Sequence, residues 1–137
     1  MLVDSSVWVR YLKGDPTAEV EMLTTALKQS LAVWLAPPIL QEVLQGADRQ
    51  DRFNRWDRVL GELPMLLPND LRATTRAAAR LYAQCRWKGV TPRSANDCLI
   101  AMYAIEHGAP LLHCDRDFDH IAHVDPRLKI EIGRAHV

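Results

Sequence analysis

The sequence has no apolar run near the roughly 20 residues that a membrane-crossing helix needs, so no such helix is expected. Cysteine is scarce and scattered: Cys85, Cys98 and Cys114 show no C-x-x-C spacing. That pattern argues against a zinc knuckle or a disulfide framework and for reduced, structural thiols. There is no G-x-S-x-G elbow, no glycine-rich phosphate loop and no D-x-D pair after the first apolar segment, which sets aside the hydrolases and phosphotransferases built on those motifs. Net charge is also missing, since 17 basic and 17 acidic residues cancel. This weakens the picture of a uniformly basic coat for polyanions, but local basic faces can still stand beside an acidic pocket, so the balance alone decides nothing. The amino terminus, MLVDSSVWVR, has an acid at position 4 and no basic stretch before its apolar residues. This argues against a secretory signal and makes a cytoplasmic protein the expectation.

What is present fits one domain over residues 1–137, with 48% hydrophobic and 25% charged residues and no repeat or linker. Residues 1–4 read as a short buried strand, followed by a helix from Ser5 to Lys13 that Gly14-Asp15-Pro16 breaks. A second helix is expected from Pro16, suited to the first helical position, to Ser30. Residues 32–36 are strand-like, Pro37-Pro38 open a helix ending near Gly46, and residues 48–63 form another. A short strand at 65–67 precedes a long helix, from Asp70 to Trp87, with Asn69 as its cap. Ser94 caps a helix running to His107; a strand at 110–113, a helix at 117–123 and a strand at 128–132 complete the chain. Strands alternating with helices predict an α/β domain, three-layered α/β/α, with a mostly parallel sheet.

Ligands in such folds bind beyond the carboxyl ends of the strands, and this is where the acids fall. Asp4 ends the first strand, Asp115 and Asp117 follow the strand at 110–113, Asp97 opens a helix, and Glu42 lies on a helix shortly after a strand. Oxygen-only donors of this kind suit Mg²⁺ or Mn²⁺, which polarise a phosphoryl oxygen and activate a water for phosphodiester hydrolysis. Each acid alone has a plainer reading. Asp4 before Ser5-Ser6 is also a helix cap, and Ser94-Ala95-Asn96-Asp97 also reads as a capping box. Residues 99–105, however, are apolar on nearly every side, so their helix is buried and its leading Asp97 needs a partner. Glu42 falls at the border of an apolar stripe, where a solvated side chain is the commoner outcome.

Four segments in order, Val3-Asp4-Ser5-Ser6-Val7-Trp8, Glu42 on its helix, Ser94-Ala95-Asn96-Asp97-Cys98-Leu99-Ile100-Ala101, and Asp115-Arg116-Asp117-Phe118, resemble the PIN-domain nucleases. The likeness extends over essentially the whole chain and is nearest to the VapC toxins of toxin–antitoxin pairs. It implies a Mg²⁺- or Mn²⁺-dependent endoribonuclease cutting structured RNA, tRNA foremost, that forms a homodimer and is inhibited by a small VapB-type antitoxin. It implies that Asp4, Glu42, Asp97 and Asp115 are the catalytic acids, with Asp4, Asp97 and Asp115 on the metal and Ser6 accessory. Asp117 either assists, contending with Asp115 for the fourth position, or caps the helix beginning near Phe118. Many relatives carry Thr or Ser where this chain has His113. That imidazole either orients a carboxylate or meets a phosphate, or is a buried, hydrogen-bonded strand-end residue, the reading favoured here. A PIN nuclease in RNA processing and an inactive RNA- or protein-binding module are the alternatives.

Two arginine series recur on helices, Arg49, Arg52, Arg55 and Arg58 every three residues and Arg72, Arg76 and Arg80 every four. Solvated faces with acidic partners are the usual reason for such runs. Arg93 and Arg116 adjoin the acids and are the better candidates for phosphate contact.

Overall fold

A computed structural model describes residues 1–131 of the chain. Its elements are β1 (Leu2–Val3), α1 (Ser5–Lys13), α2 (Ala18–Lys28), α3 (Pro37–Gln45), α4 (Gln50–Gly61), α5 (Leu71–Trp87), α6 (Ala95–Glu106), β2 (Leu111–Leu112) and α7 (Arg116–Val124). The strand β1 pairs in parallel with β2, Leu2 opposite Leu111 and Val3 opposite Leu112. Single parallel bridges widen this ladder: Leu2 to Trp34, Leu35 to Met65, and Leu111 to Ile130. The expected strands at 32–36, 65–67 and 128–132 are thus reduced to bridge contacts, and Ile132 lies outside the described residues.

Read across, the sheet runs Met65, Trp34–Leu35, β1, β2, Ile130, all parallel. The chain builds outward from β1 to one side, then returns to the other side at β2. That reversal creates a crevice beyond the carboxyl ends of β1 and β2, the place where open α/β sheets bind ligands. All four residues of β1 and β2 are buried, as continuous apolar strands covered on both faces must be. The helices pack as two groups, α1–α4 and α5–α7, joined where α3 meets α6. The result is a three-layered α/β/α arrangement around Leu2, Val3, Leu35, Ile100, Leu111 and Phe118.

Local chemistry sets the helix ends. Thr17 rather than Pro16 governs the start of α2, accepting a hydrogen bond from the Val20 N–H. Asp70 rather than Asn69 caps α5, because its carboxylate reaches the Ala73 N–H. Seven of the twelve residues of α6 are buried, Asp97 among them, which makes it the central helix expected from its apolar sequence. Trp8 and Trp56 are core residues, whereas Trp87 is 78% exposed at the end of α5.

Candidate active site

Asp4 leaves β1 and caps α1. Its Oδ2 accepts from the Ser6 N–H at 3.0 Å and from the Ser6 hydroxyl at 2.6 Å. The Ser6 Oγ in turn accepts the Cys114 N–H at 3.0 Å, so one hydroxyl ties the β1–α1 corner to the loop after β2. Capping and site-building are therefore the same act at Asp4. Across the crevice, Asp115 caps α7, its Oδ1 accepting the Asp117 N–H at 2.9 Å. Asp117 does not cap that helix; it sits in the first turn and turns inward.

Carboxylate oxygens of Asp97, Asp115 and Asp117 lie within 4.8 Å of one another. Asp4 and Glu42 stand outside this tight trio but close enough for their charges to act on Asp97. Glu42 is held at the edge of the site, its Oε1 accepting from the Ser5 hydroxyl at 3.0 Å and its Oε2 facing Asn96 Nδ2 at 3.5 Å. Ser5 and Asn96 are positioning residues to which the sequence assigned no role, although each adjoins a motif acid. The contacts span 37 and 54 positions, a separation at which sequence carries no pairing signal without a fold.

His113 has only 7% of its side chain exposed. Its Nδ1 accepts the Asp115 N–H at 3.0 Å, which leaves the ring proton of the neutral form on Nε2, 3.2 Å from Asp119 Oδ1. The ring also packs on Phe118 at 5.3 Å. It braces the backbone of Asp115 and faces none of the clustered carboxylates. Arg93 lies over the mouth of the site: Nη2 is 2.8 Å from Asp115 Oδ1, Nε is 3.2 Å from Asp117 Oδ2, and its backbone N–H donates to that same oxygen at 2.9 Å. Arg116 is exposed.

The electrostatics follow from burial and crowding. Burial pushes the Asp97 carboxyl up to about 7, with the charges of Asp115, Asp4, Asp117 and Glu42 adding to it. Burial also raises Asp4 and Glu42, against the opposing hydrogen bonds from Ser6 and Ser5. Asp117 goes the other way: burial pushes it up, but the Arg93 N–H and guanidinium outweigh burial and hold it below the ordinary carboxylate value. A cluster in which most members resist ionisation is short of positive charge.

The donor set fits a hard divalent cation. All its candidate ligands are carboxylate oxygens, which suit Mg²⁺ or Mn²⁺. Two of those oxygens, Asp4 Oδ1 and Asp97 Oδ2, are buried without any hydrogen-bond partner. Orphaned buried carboxylate oxygens are costly unless something cationic satisfies them.

A parallel sheet with acids gathered at its topological switch point defines a class, and the PIN-domain family model matches residues 1–124. The chain belongs to the PIN-domain family, among its VapC ribonucleases. It is 38% identical over 125 residues to the VapC ribonuclease Mb1587 of Mycobacterium bovis, a match covering 90% of this chain and 92% of the relative. The same figures hold for ribonuclease VapC11 of Mycobacterium tuberculosis. Among solved structures, VapBC2 of Rickettsia felis, bound to a DNA fragment from its promoter, superposes with a TM-score of 0.73 at 21% identity, covering 95% of this chain and 96% of that one. VapBC-1 of nontypeable Haemophilus influenzae gives 0.71 at 17% identity, covering 95% of each chain. These structural likenesses concern the fold.

Proposed function

We propose that this protein is a Mg²⁺- or Mn²⁺-dependent endoribonuclease toxin that cuts structured RNA, tRNA foremost, and is neutralised by a VapB-type antitoxin. The observation that carries the reading is the trio Asp97, Asp115 and Asp117 beside the orphaned oxygens of Asp4 and Asp97. Asp4, Asp97 and Asp115 hold the metal in this reading, with Asp117 close enough to share it. Glu42, held by Ser5 and Asn96, would act on the attacking water or the departing group. The bound ion supplies charge for the phosphoryl oxygens and a more acidic water. Ser6 orients Asp4, His113 braces Asp115, and Arg93 and Arg116 meet RNA phosphates. The curated relatives are named as ribonucleases, and the Rickettsia felis and Haemophilus influenzae structures are VapBC assemblies, which supports the antitoxin partner. A homodimer in the cytoplasm completes the reading.

Cleavage of total RNA with Mg²⁺ or Mn²⁺ tests it, comparing native protein with Asp4→Asn and Asp97→Asn. Native protein is expected to produce discrete fragments that chelation abolishes. Undiminished cleavage by both variants sinks the assignment. Mapping RNA 5′ ends after brief induction, beside the Asp97→Asn control, identifies the target. Normal growth on induction without a partner counts against the toxin role.

A further inference from the structure

Arg93 presents a conflict of occupancy. Its guanidinium binds Asp115 Oδ1 and Asp117 Oδ2, two of the three carboxylates that converge within 4.8 Å. A guanidinium carries only donors, so each bond it makes engages an oxygen lone pair and sets a positive charge beside the place a divalent ion would take. The side chain is nevertheless 75% exposed, and an ion pair so open to solvent is weakly held. By contrast, the oxygens with no partner at all, Asp4 Oδ1 and Asp97 Oδ2, lie deeper, where the guanidinium does not reach. The cluster is thus half-neutralised at its mouth and unsatisfied at its floor.

We propose that Arg93 is an internal counterion that occupies the mouth of the acidic cluster in the metal-free protein, competes with the divalent ion and is displaced by it. The inference rests on the metal-dependent reading above and adds a residue that sets metal affinity. Displacement is local, because the Arg93 backbone N–H to Asp117 Oδ2 keeps that carboxylate in place after the guanidinium leaves. The released side chain then stands beside the metal, where a phosphate of the substrate arrives. This resolves how one arginine can pair with acids at rest and with phosphate in use.

Calorimetric titration of Mn²⁺ into native protein, Arg93→Gln, Arg93→Lys and Asp97→Asn tests the idea without reference to catalysis. Removing one positive charge at this range is expected to tighten Mn²⁺ binding about three- to tenfold in Arg93→Gln at low ionic strength. Arg93→Lys, which keeps the charge, is expected to stay near native affinity. Equal or weaker binding by Arg93→Gln overturns the competition, as does equal tightening by Arg93→Lys. Binding by none of the four proteins overturns the metal reading itself, and the competition with it. Because Arg93 is exposed and its backbone contact survives substitution, the variants are expected to fold.

Discussion

Asp97 sits where burial and four neighbouring acids oppose its charge, with its carboxyl pushed up to about 7 from an ordinary 3.8. A folded-state value above the unfolded one means the native chain holds the extra proton across that interval. The metal-free protein therefore loses stability from this group as pH rises from about 4 to about 7, and the full penalty is present above it. Asp97→Asn removes the penalty, so it is expected to stabilise the metal-free protein at pH 8 by roughly 1–3 kcal/mol after solvent screening, with the gap closing near pH 4. Urea unfolding at the two pH values checks this; an Asn variant no more stable at pH 8 than at pH 4, relative to native, contradicts it. The same substitution should lower cleavage by more than about 100-fold, exceeding the usual loss for a residue behind a ligand. Ser6→Ala is such a residue, and it is expected to weaken Mn²⁺ binding about 10–100-fold by freeing Asp4 and the Cys114 backbone. The helix-start positions of Asp4 and Asp97 were legible in the sequence because each lies inside a short, ordered motif. The pairing of Arg93 with Asp115 and Asp117 was not, since its adjacency to the acids fits phosphate contact equally well until geometry shows which partner it has.

At the scale of elements, the helices were legible and the strands only in part. Helix caps are local chemistry, so Ser94 before α6 and Gly14 after α1 mark their ends correctly. Gly14 adopts φ +79°, the left-handed conformation that closes α1 and that glycine tolerates best. Adjacent candidates compete, however, and sequence alone does not decide between Asn69 and Asp70; backbone direction does. The outer strands shrink to single bridges because pairing depends on a neighbour brought in by tertiary packing. The same holds for Thr74, which nothing in the Ala/Arg-rich sequence of α5 singles out. It is 1% exposed, and its hydroxyl donates to Glu106 at 2.8–2.9 Å, tying α5 to the end of α6. Thr74→Val keeps the shape and loses that bond. The expected cost is about 0.5–1.5 kcal/mol in urea unfolding, because exposed Glu106 can return to water. RNA cleavage should stay at the native rate, since the contact lies at the opposite end of α6 from Asp97; a large loss of activity would show that α5 and the site are coupled.

For the whole molecule, topology explains why weak local signals become one site. Five parallel segments with a reversal between β1 and β2 bring Asp4 and Asp115 to the two sides of one crevice, and the central helix α6 delivers Asp97 between them. The fold thereby concentrates negative charge that the unfolded chain keeps dispersed, although the protein's formal net charge is zero. Zero net charge gives no hint of this concentration, because the compensating basic residues include exposed arginines on α4 and α5. A ligand that binds only the assembled cluster must then stabilise the entire domain, not the site alone. With Mn²⁺ at about 100 times its dissociation constant, the expected gain is about 2.7 kcal/mol, or a melting-temperature rise on the order of 10 °C for a chain of this size. Thermal unfolding with and without Mn²⁺ measures it, and Ca²⁺-free buffer with chelator supplies the baseline. Asp97→Asn should show little of this rise while melting higher than native in chelator at pH 8. That crossing of the two curves separates a metal site held under charge repulsion from general salt stabilisation, which would move both proteins alike.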